Sequence, residues 1–145
     1  MYKHILIPTD GSVLSEEAVR QGIALARSLG AKATVITVSP FFHTFVLDPG
    51  MIIDTPQEYQ QEREALAAKY LGVAEAAAKA AGVPFRALHI VHDHPHAAII
   101  EAAEKNHCDL IFMASHGRKG VSALIMGSET TKVLTHSKIP VLVCR

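Results

Sequence analysis

Three glycines and a run of polar residues share one connection of the chain, SHGRKGVSALIMGSE, from Ser115 to Glu129. Gly117, Gly120 and Gly127 let a backbone pass through positive φ and let a ligand approach with no Cβ in the way. A helix opening at Gly127-Ser128-Glu129 presents first-turn amides that lack intrahelical partners at the positive end of its dipole, where a phosphate is the natural guest. Ser128 can add a hydroxyl, and His116, Arg118 and Lys119 can add positive charge. The bland alternatives stay open: Gly127-Ser128 is also an ordinary N-cap, and Arg118 and Lys119 are also simply solvated loop charges. Neither G-x-x-x-x-G-K-[ST] nor G-x-G-x-x-G occurs, which argues against a P-loop enzyme and against the usual dinucleotide site.

Two further groups have chemistry in them. Thr9-Asp10-Gly11-Ser12 follows the first apolar run; Asp10 can accept ribose hydroxyls, hold a metal that bridges phosphates, or cap a helix together with Ser12. The run HIVHDHPH holds His89, His92, His94 and His96 with Asp93. On an extended strand His92 and His94 face one side, and imidazole with carboxylate suits zinc; without a fixed tetrahedral spacing the run reads as a polar loop.

These groups meet only if the chain brings its loops to one edge. Short β-rich runs, at 4–8, 33–38, 85–91, 109–114 and 140–144, alternate with longer helical patterns. Their continuous apolar character predicts strands covered on both faces. Leu14, Ala18, Gly22, Leu25 and Leu29 mark a first helical face that stops at Gly30. A second helix is expected from about Pro56 to Ala81, burying Leu66, Tyr70, Val73 and Ala77 and closing at Gly82. A third starts near Pro95 with Ile99, Ile100 and Ala103, and a fourth runs from Gly127-Ser128 through Val133 and Leu134 to the break at Lys138-Ile139-Pro140. Strict alternation of five strands and four helices predicts an α/β fold, an open parallel sheet wound on both faces with right-handed crossovers. Ligands of such sheets sit beyond the carboxyl ends of the strands where the winding reverses. Strands one and four, as neighbours there, would bring Thr9–Ser12 and Ala114–Gly117 to one cleft.

Composition excludes several classes. At 145 residues and 15.6 kDa the chain has the size of one domain, and residues 1–145 are read as such. Fourteen basic and fourteen acidic side chains leave no electrostatic footprint for nucleic acid. The N-terminal MYKHILIPTDGS is too short in its apolar run for a signal peptide or a spanning helix. Cys108 and Cys144 are too few for a disulfide scaffold and are read as buried thiols of a cytoplasmic protein.

With ILIPTDGS, HPHAAIIEAAE, DLIFMASHGRKG, GSETTKVL and the terminal PVLVC in view, the chain resembles the universal stress protein family over essentially its whole length. The resemblance implies strand order 3-2-1-4-5 in a Rossmann-like sheet of the adenine nucleotide alpha hydrolase kind. ATP-binding members share G-x-x-G, nine residues, then G-[ST]. Gly117, the nine residues from Arg118 to Met126, and Gly127-Ser128 match, while the first glycine is Ala114. A methyl there is tolerated at negative φ and can otherwise crowd sugar or phosphates. Carried over by position, the resemblance puts adenine near Thr9, Asp10 and the backbone of Val38, and ribose near Asp10, Met113 and Ala114. It puts phosphates, with a magnesium or manganese ion, against Gly117, Gly127, Ser128 and the Glu129 amide. No residue of this set is an evident general base. His116 has a suitable pKa but reads as a loop hydrogen-bonder, so a binding module with at most slow ATP hydrolysis is expected. The family habit of pairing terminal strands implies a homodimer through residues 139–144, with Arg145 as the alternative means of blunting a monomer's edge.

The long connection from Pro40 to Pro56 carries Phe41, Phe42, Phe45, Val46, Leu47, Met51, Ile52 and Ile53. It can pack on its own dimer, close over the cleft as a lid, or offer a surface to a second protein or a greasy ligand. The leading expectation is a stress-response protein that binds an adenine nucleotide. Its rival is an interaction protein that works through this insertion with no nucleotide.

Overall fold

The structure, a computed structural model, describes residues 1–42, 55–117 and 126–145. Its elements alternate as expected: β1 (His4–Pro8), α1 (Val13–Leu29), β2 (Lys32–Ser39), α2 (Pro56–Ala81), β3 (Phe85–Val91), α3 (Pro95–Lys105), β4 (Leu110–Ala114), α4 (Ser128–His136) and β5 (Val141–Cys144). All pairings are parallel and the strand order is β3-β2-β1-β4-β5. The chain therefore winds outward from β1 to β3, returns to the other side of β1 as β4, and winds outward again. β1 and β4, in register Ile5↔Leu110 and Leu6↔Ile111, form the switch point.

Alternation along the strands divides the core in two. Ile5, Ile7, Ala33, Val35, Leu110 and Phe112 face one helical layer with α1 and α2, and Leu6, Ile36, Ile111 and Met113 face the other with Ile99, Ala103 and Val133. The apolar runs of β1, β2 and β4 are buried on both faces. β3 and β5 are not: Arg86, Ala87 and Val91 of β3 and Leu142 of β5 are exposed, because each edge strand has a neighbour on one side only and incomplete helical cover.

Helix ends follow their local chemistry. Thr55 and Glu58 cap α2 reciprocally, the Thr55 hydroxyl accepting the Glu58 N–H and the Glu58 carboxylate accepting the Thr55 N–H, both at 3.1 Å. Gly30 and Gly82 close α1 and α2. The buried faces differ from expectation. Leu14 and Leu29 of α1, Val73 of α2 and Leu134 of α4 are exposed, while Leu25, Leu66, Tyr70 and Ala77 are only half-buried. Small residues take the central places: Ala18, Gly22 and Ala26 with Val19 and Ile23 on α1, and Ala67, Ala74 and Ala78 on α2. They let the helix axes lie close to a sheet whose own branched side chains already fill the layer. No described helix is long and apolar enough to cross a membrane.

Candidate functional site

The β1–α1 loop is tied into one network. Ser12 is the N-cap of α1, its hydroxyl accepting the Ser15 N–H at 3.2 Å. Asp10 Oδ1 accepts the Ser12 N–H and the Ser15 Oγ–H, each at 2.9 Å. Thr9 Oγ1 lies 3.1 Å from Ser15 Oγ and accepts the Gly11 N–H at 3.2 Å, and the Thr9 N–H donates to the Ile36 carbonyl at 2.8 Å. The capping reading of Asp10 and Ser12 is thus realised through Oδ1 of the Asp10 carboxylate. The other, Oδ2, lies against Gly117, so the loops after β1 and β4 do meet. Gly11, at φ 78, is covered by the Tyr70 ring of α2.

A second network fixes the start of α4 on the end of β4. The Gly127 N–H donates to the Ser115 carbonyl at 2.8 Å, and the Thr130 hydroxyl donates to the Ala114 carbonyl at 2.9 Å. A Cβ on Gly127 would stand 3.1 Å from the Ser115 oxygen and 3.4 Å from His116 Cα, closer than most side chains tolerate. Gly127 is the N-cap and offers α4 no side-chain acceptor, and the first-turn amides of a helix lack intrahelical partners. Ser128 is exposed there. The Glu129 carboxylate turns away to α3, accepting the His96 N–H at 2.9 Å and lying 3.2 Å from His96 Nδ1 and 3.4 Å from Lys132 Nζ. Burial pushes its carboxyl up, but the His96 N–H, the His96 ring and Lys132 outweigh that and hold it below the usual range. His96 Nδ1 and Glu129 thereby join the first turns of α3 and α4.

Ala114 belongs to β4, pairs with Cys144, and has its side chain in the core layer of α1. His107 is the one non-glycine residue at positive φ among the described residues, so the residue at the motif's first position carries no strain from its methyl. Met113 is buried in the opposite layer, and Val38 is half-buried at the carboxyl end of β2. Thr9, Asp10, Ala114, Gly117, Gly127, Ser128 and Glu129 therefore gather at the carboxyl edge of β1 and β4, with Val38 one strand away. Arg118, Lys119 and Gly120 lie outside the described residues.

His116 is buried, its Nδ1 2.9 Å from Ser115 Oγ, and its Nε2 has no partner among the described residues. His92 Nδ1 accepts the His94 N–H at 2.9 Å with the rings 5.9 Å apart, and among the described residues no three His, Cys, Asp or Glu are arranged to hold a metal. Residues 43–54 of the apolar connection also lie outside the description. Its described flanks are anchored: the Phe41 N–H donates to Asp93 Oδ1 at 3.0 Å, the Tyr59 hydroxyl donates to the Pro40 carbonyl at 3.1 Å, and Phe42 packs edge-on to Tyr59 at 5.3 Å.

Ser15, Thr130 and His96 were not legible as site residues, and Glu129 was expected there through its amide and not through a carboxylate paired with His96. Ser15, three residues beyond the cap Ser12, is the one with a sequence signal, since a hydroxyl at that spacing can turn back on the cap.

Comparison with known proteins agrees with this architecture. The family model described as the universal stress protein family matches residues 1–145. Universal stress protein MJ0531 of Methanocaldococcus jannaschii is 31% identical over all of this chain and 83% of its own. The solved structure of hypothetical protein MJ0577, from the same organism, superposes with a TM-score of 0.80 at 25% identity, covering 99% of this chain and 95% of that one. At lower identity the fold is shared with a universal stress protein in complex with cAMP (TM-score 0.70, 23%, covering 99% and 97%). It is shared too with the Archaeoglobus fulgidus protein in complex with dAMP (TM-score 0.66, 18%, covering 99% and 98%). The chain belongs to the universal stress protein family.

Proposed function

We propose that the protein binds ATP or a related adenine nucleotide at the β1–β4 switch point and acts in a stress response as a nucleotide-sensing homodimer. The observation that carries this reading is the first turn of α4, whose N-cap Gly127 offers its amides no side-chain acceptor and is held against the Ser115 carbonyl, beside the loop where Asp10 meets Gly117. Relatives of the same fold in complex with cAMP and dAMP support it. In this reading the phosphates lie on the amides of Ser128 and Glu129 beside Gly117 and Gly127, the ribose is held at Asp10 beside Met113 and Ala114, and the adenine packs between Thr9 and the Val38 backbone. A magnesium or manganese ion would be held by phosphate oxygens, with Asp10 as the carboxylate in reach.

The chain works as one domain, paired through residues 139–144, where the apolar edge of β5 leaves backbone groups open to a second copy. Its free thiols, Cys108 and Cys144, suit a reducing cytoplasm. Thermal unfolding with and without ATP and magnesium tests the nucleotide. A ligand of the native state alone adds roughly 2.7 kcal/mol at a hundred times its Kd. The shift is expected in the parent, lost in Gly127→Val, and weakened in Asp10→Asn, whose affinity is read separately by calorimetry on folded protein. No heat and no shift with any adenine nucleotide would discard the reading in favour of an interaction protein that uses the 40–56 connection.

A further inference from the structure

At the opposite end of the sheet, the amino ends of β1, β2 and β3 and the last turn of α3 enclose a groove of about 390 Å³. Lys32, Arg86 and Lys105 line it with the imidazoles of His4 and His107, and no carboxylate is among its lining residues. Three permanent cations thus share one concavity. Lys105 Nζ lies 2.7 Å from Glu101, both side chains being solvent-exposed, and Arg86 Nη1 donates to the neutral Asn106 Oδ1 at 3.1 Å. Lys32 makes no ion pair with any described residue. The Asp109 carboxylate accepts the N–H groups of Lys3 and His4, at 2.9 and 3.0 Å.

Two histidines line the same groove. His107 occupies the position after the Asn106 C-cap at φ 55, a left-handed conformation that Gly30 and Gly82 supply without strain at the ends of α1 and α2. Here a histidine holds it, and its ring lines the groove. His4 lies 93% buried beneath, its Nε2 2.7 Å from Thr34 Oγ1 and its Nδ1 without a hydrogen-bond partner among the described residues. Burial first and then Lys32 push the ring's pKa down, against the nearby Asn106 carbonyl and Asp109. The groove is therefore a site short of negative charge. Its volume is that of a small-molecule pocket, and Pro84 and Phe85 supply an apolar wall, so it is suited to more than a bare oxyanion.

We propose that this groove binds a phosphorylated small molecule, the phosphate received by Lys32, Arg86 and Lys105 and the organic body lying on Pro84 and Phe85. Arg86 offers the planar fork that pairs with two phosphate oxygens, and the lysines add point charge. The site is separate from the carboxyl-edge cleft, being across the full length of the strands from it, and does not depend on whether that cleft takes a nucleotide.

The test is an NMR titration of the full-length protein with ribose 5-phosphate, with ribose and inorganic phosphate as controls, following backbone amides and the His4 ring. Saturable shifts are expected at Lys32, Arg86, His107 and the His4 ring, with a Kd at or below about 1 mM, silence with ribose, and a weaker response to phosphate alone. The double variant Lys32→Gln, Arg86→Gln should weaken binding about tenfold or more, leaving the Gly127–Thr130 amides unmoved. Shifts confined to those amides, no saturation, or equal binding by the double variant would overturn the proposal. So would a titration in which an Asp/Glu-rich peptide binds the groove tightly and ribose 5-phosphate does not.

Discussion

The Asp10 carboxylate rests against Gly117, and its Oδ2 fills the space in which any Cβ at that position would stand. The carboxylate is not free to swing aside, because its other oxygen is fixed by the Ser12 N–H and the Ser15 hydroxyl. Gly117 has no positive φ, so a glycine is needed for proximity alone. Gly117→Ala is expected to cost about 1 kcal/mol by crowding, and Asp10→Ala in the same chain should recover part of it. Urea unfolding of both single variants and the double variant would then give a coupling of about 0.5 kcal/mol or more; strict additivity would show that the two loops do not touch.

Two helical glycines should respond in opposite directions to the same substitution. A Cβ on Gly22 would lie 2.7 Å from Ile7 Cδ1 and 3.2 Å from Phe112 Cδ1, whereas one on Gly72 would meet nothing within 4 Å. Alanine is the better helix former by about 1 kcal/mol, so Gly72→Ala should stabilise by up to that amount. Gly22→Ala should be destabilising by about 1 kcal/mol, since overpacking of roughly 1–3 kcal/mol exceeds the propensity gain. Denaturant midpoints measured side by side decide both.

Glu129 carries a pH dependence whose sign is fixed by its lowered pKa. In the unfolded chain the carboxyl titrates near 4.5, and in the folded chain below that. The unfolded state therefore binds more protons between the two values, so the contribution is complete above pH 4.5 and is lost as pH falls through the folded value. The side chain is 37% exposed, which limits its worth to below about 1 kcal/mol. Melting temperatures of the parent and Glu129→Gln should differ at pH 6 and converge towards pH 3; a gap that widens on acidification would contradict the assignment.

Cys108 should be chemically silent while the protein is folded. Burial pushes its thiol up to about 11, with Asp109 adding to the shift, and the thiolate is the species that reacts. Iodoacetamide at pH 8 should leave Cys108 unlabelled by mass spectrometry until denaturant is added. Labelling at the denatured rate in native buffer would mean that the strand containing Leu110 opens far more readily than its packing implies.

The sheet was legible because β1 and β4 are short apolar runs and β2 is interrupted only by the β-branched Thr34 and Thr37, a pattern that two-sided burial explains. The helix ends were legible for local reasons: Thr55 and Glu58 at one end of α2 and Gly82 at the other act within one turn. Helix faces were misread where leucine and valine were given more weight than alanine. Leu14, Leu29 and Val73 lie at the edges of their helices' contacts, while Ala18, Ala74 and Ala78 sit at the centre, since closeness of approach there is decided by small volume. The loop glycines pointed to the carboxyl edge of the sheet, where Gly117 and Gly127 lie, but Ser15 and Thr130 did not stand out. The Thr130 hydroxyl acts on a partner that only the folded chain brings near, the Ala114 carbonyl sixteen residues away, while Ser15 acts locally on Ser12 and Asp10.

Ser115 is a single residue on which two elements hang. Its carbonyl holds the Gly127 N–H at the start of α4, and its own N–H holds the Cys144 carbonyl at the end of β5, each at 2.8 Å. Helix α4 and the outermost strand are thereby coupled in series, like two links closed on one pin. The start of the helix and the edge strand are therefore two hydrogen bonds and one residue apart.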